Sequence, residues 1–111
     1  EPTFHKHSGQ LCAGLQIHVD DAGYQHEAFR PWRLVALALR ALRALRPDYP
    51  LWRDFPYEYE TGKPAIDVIN GGPLLREWVD DPEATPADLD AAALKDEAAW
   101  RESRQPYLLY R

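Results

Sequence analysis

Residues 10–20 read Gln10-Leu11-Cys12-Ala13-Gly14-Leu15-Gln16-Ile17-His18-Val19-Asp20. Leu11, Ala13, Leu15, Ile17 and Val19 take the odd positions, and Cys12, Gly14, Gln16, His18 and Asp20 the even ones. This strict period of two predicts a β-strand with one face buried. The odd face belongs to a core. Gln16, His18 and Asp20 cost free energy to bury without partners, so the even face looks at water, a cleft or another domain.

Around this stretch the chain alternates between short elements. Phe4-His5-Lys6-His7 fits a short strand before a turn at Ser8-Gly9. Asp20-Asp21-Ala22-Gly23-Tyr24 is turn chemistry. Pro31 suits the first turn of a helix, which the spacing of Leu34, Ala38, Ala41, Leu42 and Leu45 carries over Trp32 to Arg46. The Ala-Leu-Arg triplets of 38–46 drift about 60° around that helix at each step. Arg40, Arg43 and Arg46 therefore make a slanting stripe, read as a solvated face. Tyr57-Glu58-Tyr59-Glu60 alternates like a short strand, and Ile66 to Gly72 ends in a turn. Pro73 opens a short helix with Leu74, Leu75, Trp78 and Val79 on one side. Thr85-Pro86-Ala87-Asp88 signals a capped helix start, with Leu89, Ala93 and Trp100 on one stripe up to Arg104. Tyr107-Leu108-Leu109-Tyr110 reads as a last strand. The order strand, helix, short strand, short helix, helix, strand predicts an α+β fold: a single domain with a small sheet and helices packed on it.

The 111 residues, 45% hydrophobic and 12% aromatic, suit one domain with one core. The net charge of −5 speaks against nucleic acid and anionic membrane as partners. No apolar run approaches the roughly 18 residues of a membrane span. The single cysteine makes no internal disulfide. With no methionine, the chain is expected to be a piece of a longer protein.

Several constellations invite chemistry. His5, His7, Cys12 and His18 are all metal-ligand types, but in an extended strand Cys12 and His18 lie about 20 Å apart, too far to share one ion. No metal or cofactor is expected. Glu58 and Glu60 on one strand face would stand about 6.6 Å apart, near glycosidase spacings, though alternating Tyr-Glu is also ordinary edge-strand design. Gly72-Pro73 opens a helix whose N-terminus could hold an anion, though most helix starts hold nothing. No nucleophile motif appears.

Taken together, Pro2-Thr3-Phe4, Lys6, Gly9, Cys12, Gly14, Gln16-Ile17-His18-Val19 and Asp20 resemble the opening motif of a bacterial family long labelled a domain of unknown function. Its characterised members are exo-β-N-acetylmuramidases, glycoside hydrolases that remove N-acetylmuramic acid from the non-reducing ends of peptidoglycan fragments. The motif is that of the family's C-terminal domain. The resemblance continues through Phe29-Arg30-Pro31, Tyr57-Glu58-Tyr59-Glu60, Ile66-Asp67 with Gly71, and Arg104, Pro106 and Tyr107-Leu108-Leu109-Tyr110. Two departures stand out: Asp20 sits where the family often has threonine before its aspartate, so Asp20 or Asp21 is the equivalent acid, and the turn from Ala22 to Glu27 is slightly long.

The resemblance implies that residues 1–111 are the C-terminal domain of a two-domain glycosidase. Its N-terminal domain, Rossmann-like and holding the catalytic carboxylate, would be this chain's partner. The cleft for a muramic-acid sugar would lie between the two. Lys6, Gln16, His18 and Asp20 would then bind substrate, with no catalytic residue here and no activity alone. Two other readings remain: a non-catalytic binding or assembly module, favoured by exposed tryptophans, of which only Trp52 is expected outside a helix stripe; and an independent enzyme using Glu58 and Glu60.

Overall fold

The computed structural model describes residues 6–110. Its regular structure is helical: α1 spans Pro31–Leu45, α2 Ala65–Asn70, α3 Leu74–Asp80 and α4 Pro86–Ser103, with a 3₁₀ turn at Gln105–Tyr107. Among the described residues no sheet forms, and the only ladder pairing is an isolated bridge between Tyr57 and Glu60. The expected α+β fold is therefore corrected to a helical one.

The correction falls on three stretches. Residues 10–20 are extended but unpaired. Both of their faces meet solvent, Leu15 being 82% exposed and Ile17 50%. A strand needs a neighbour to take its main-chain hydrogen bonds, and no second strand forms beside this one. Residues 57–60 close on themselves, Tyr57 and Glu60 exchanging both main-chain bonds across a turn with Glu58 in the left-handed region at φ 54°. Tyr107 ends the 3₁₀ turn and residues 108–110 follow it without ladder pairing, Leu109 and Tyr110 being exposed. The possible strand at 4–7 lies partly outside the described residues, and Lys6 and His7 sit in a turn.

The helices hold a compact centre. Ala36 of α1, Leu75, Trp78 and Val79 of α3 and Leu89 of α4 form the buried cluster, with Leu37, Leu39, Leu51, Trp52, Ile66, Leu74 and Ala84 packed against it. The expected apolar side of residues 74–79 is thus the side that is buried. α4 starts where its signals place it. Thr85 accepts from the Asp88 amide, and the Asp88 side chain accepts from the Thr85 amide, a reciprocal capping box. Along α4, Leu89 is buried while Trp100 is 65% exposed, so the expected stripe contacts the core only at its first turns.

α1 lies within one residue of its expected range but is turned about its axis. The small Ala36 meets the core. Arg33, Arg40 and Arg43 lie on the same side and bind the other helices. Arg33 makes a two-pronged ion pair with Asp90 of α4, at 2.6 and 3.1 Å. Arg40 lies over the Trp78 ring at 4.7 Å. It donates to the carbonyls of Trp78, Asp81, Pro82 and Ala84. Arg43 pairs with Asp80 at 2.8 Å and donates to the carbonyls of Pro47 and Tyr49. Of the expected solvated stripe, Arg40 and Arg43 thus act with Arg33 as a clamp, while Arg46 is exposed. The stripe expected to be core, Leu34, Ala38, Ala41, Leu42 and Leu45, looks outward: Leu34, Leu42 and Leu45 are all exposed.

α2 occupies residues read as running into a turn. Asp67 is buried and receives a two-pronged pair from Arg76 of α3, at 2.8 and 2.7 Å. Gly71 ends the helix at φ 78°, a left-handed conformation that glycine takes without steric cost.

Candidate functional site

The four residues expected to bind substrate sit on the extended N-terminal segment. Lys6, Gln16, His18 and Asp20 are all exposed. His18 Nδ1 lies 3.7 Å from Asp20 Oδ1, beyond hydrogen-bond reach but close enough to pair when the imidazole is protonated. Gln16 sits two residues before His18 in the same extended run. The segment therefore brings Gln16, His18 and Asp20 into one short neighbourhood, while Lys6 lies in the preceding turn.

Of the ligand types considered for a metal, His7 Nδ1 contacts Gln10 Oε1 at 3.2 Å, and Cys12 is a free, exposed thiol whose sulfur contacts the Gln10 carbonyl. His5 lies outside the described residues. Among the described residues, no three metal-ligating side chains converge. The expected Glu58–Glu60 pair does not form on a strand face. Glu60 Oε1 instead accepts from the Gly62 amide at 2.7 Å, fixing the turn.

Two clefts lie elsewhere, and sequence reasoning did not find either. The first, about 610 Å³, is bordered by α2 and α3 and lined by Glu60, Lys63, Asp67, Arg76 and Glu77, with the Gly71-Gly72 backbone at its edge. The Asp67 carboxylate is occupied by Arg76, and the pairing holds the Arg76 guanidinium firmly protonated. Lys63 at the rim offers three donors. The second, about 450 Å³, runs between the start of α1 and α4. Trp32 forms one wall, its indole N–H donating to Asn70 Oδ1 at 2.9 Å. Arg33, Asp90 and Glu97 supply the polar edge. Glu60, Asp67, Gly71 and Arg30 fall in the motifs quoted above, and Gly72-Pro73, the helix start weighed for an anion, borders the first cleft.

A glycosidase acid needs a carboxyl whose pKa is raised. Asp90, on the second cleft, and Asp88, outside both clefts, have carboxyls that move down instead. The bond from Arg33 lowers the first, and hydrogen bonds from Thr85 lower the second.

Trp52 is the one tryptophan outside the helices, as expected, but it is partly buried, its N–H donating to Asp80 at 2.7 Å; Trp100 on α4 is 65% exposed and Trp32 on α1 37%. No helix among the described residues is long and apolar enough to cross a membrane.

The family described as exo-beta-N-acetylmuramidase NamZ, C-terminal, matches residues 1–110 of the chain. No curated protein and no solved structure matches it.

Proposed function

The chain belongs to the C-terminal family of the exo-β-N-acetylmuramidase NamZ, and from that premise we propose that it supplies one wall of a muramidase substrate cleft. The family match over nearly the whole length carries this reading. A C-terminal domain implies an N-terminal domain in the same protein, and the hydrolytic carboxylate is assigned there. One feature supports the cleft role. The polar side of residues 16–20 is open and holds an amide, an imidazole and a carboxylate. Such groups donate to and accept from sugar hydroxyls at fixed angles.

On this reading the substrate is a peptidoglycan fragment ending in N-acetylmuramic acid, and the chain alone turns over nothing. The test is release of N-acetylmuramic acid by the full-length protein and by the 111-residue chain. Hydrolysis by the full-length protein alone is the expected result. Turnover by the isolated chain, lost in Glu58→Gln, would overturn the reading and make the chain an enzyme in its own right.

A further inference from the structure

Two apolar surfaces of this chain face solvent, and their spacings match. One is the outer side of α1, where Leu34, Ala38, Leu42 and Leu45 form a stripe; Leu42 is 49% exposed and Leu45 76%. The other is the odd side of residues 11–19, where Leu11 is 94% and Leu15 82% exposed. Apolar stripes of this kind mark surfaces that something covers. The molecule also has room to contract: its radius of gyration is 17.4 Å, against about 13 Å for a packed chain of this length.

We propose that residues 11–19 close onto the outer face of α1 as an extended strap. Successive odd residues of an extended segment stand about 6.6 Å apart. Residues four apart on a helix rise about 6 Å along its axis. A strap running antiparallel to α1 thus sets Val19 by Leu34, Ile17 by Ala38 and Leu15 by Leu42, with Ala13 toward Leu45 and Leu11 beyond the end of the helix. The occupant is this segment because it is tethered at the right place. Residues 20–30 lead directly into the start of α1, and even half extended they span more than the width of a helix. Tethering also gives the segment a high effective concentration that a separate partner lacks. Turned this way, the even side faces outward. Closure then holds Gln16, His18 and Asp20 on a rigid backing. Only that last consequence rests on the muramidase reading; the closure does not.

The test follows a single thiol. In the full-length protein, Leu42→Cys is made in a Cys12→Ser background, and its maleimide labelling is followed by peptide mapping. A closed strap protects position 42. Adding Leu15→Asp should speed labelling about tenfold, the scale expected when one buried leucine contact is lost. Gln16→Asp, on the opposite side, should leave the rate unchanged, and Ile17→Ser should give a smaller increase. Equal labelling in all variants means that nothing covers α1. Slow labelling in all variants means that the N-terminal domain covers it, and protection that fades on dilution means a second copy does; each overturns the strap. Loss of helix content in both Leu15→Asp and Ile17→Ser also overturns it, because the segment would then belong to the helical core.

Discussion

At Arg40 one guanidinium accounts for a corner of the molecule that no apolar side chain covers. The turn between α3 and α4 leaves the carbonyls of Trp78, Asp81, Pro82 and Ala84 without helical partners. Arg40 donates to all of them while its plane lies over the Trp78 ring. Lysine has three donors on a point charge and cannot match this planar fork. Arg40→Lys should therefore destabilise the chain by about 2–3 kcal/mol, the scale of hydrogen bonds from a charged donor. Urea unfolding checks it, and a loss below about 0.5 kcal/mol would mean that the clamp contributes little. The sequence hid this role for a physical reason. An Ala-Leu-Arg triplet supplies both an apolar and a basic stripe, and composition alone favours burying leucine. Ala36 decided otherwise: with no bulk on that side, α1 approaches α3 closely, and long arginines reach past it to the acids and carbonyls beyond.

Among the elements, α4 was the most legible because its start is a local signal. Thr85, Pro86 and Asp88 act within one turn, so no distant contact can override them. α3 was legible for a similar reason, its four apolar residues sharing one side. α2 was not. Its six residues are rich in β-branched side chains, and it is held by the Asp67–Arg76 pair, nine positions away. Only the Asn70-Gly71 stop marked it locally. The strand expected at 11–19 failed on the same ground: alternation fixes which side chains share a face but does not supply a neighbouring strand. The charges on α4 carry a prediction about acid. Asp88 and Asp90 hold pKa values below the ordinary aspartate range in the folded chain. The unfolded chain binds protons more readily, so the stabilisation is whole above about pH 4 and fades as pH falls through the folded values. Helix content followed from pH 7 to pH 2 should fall in that acid range, and Asp88→Asn with Asp90→Asn should flatten the fall. An unchanged acid profile in the double variant would contradict it.

For the whole molecule, the family was readable because a long motif keeps its residue order whatever the packing around it. The clefts were not, because each is built from residues far apart in the chain: Trp32 with Asn70, and Arg33 with Asp90. The substrate-facing reading of Gln16, His18 and Asp20 rests on the segment's alternation and on its exposure, and His18 lies at its centre. Neutral histidine offers one donor and one acceptor, a match for a sugar hydroxyl or the lactyl carboxylate of muramic acid. His18 touches no part of the helical core, so removing it should cost little stability. The most direct measurement is the rate of N-acetylmuramic acid release by full-length His18→Ala, taken beside a thermal melt of the same variant. The expected result is a rate lower by about tenfold or more, near 1.4 kcal/mol of transition-state binding, with the melting temperature nearly unchanged. An unchanged rate, or a loss that tracks a lowered melting temperature, would contradict the placement of substrate on this face.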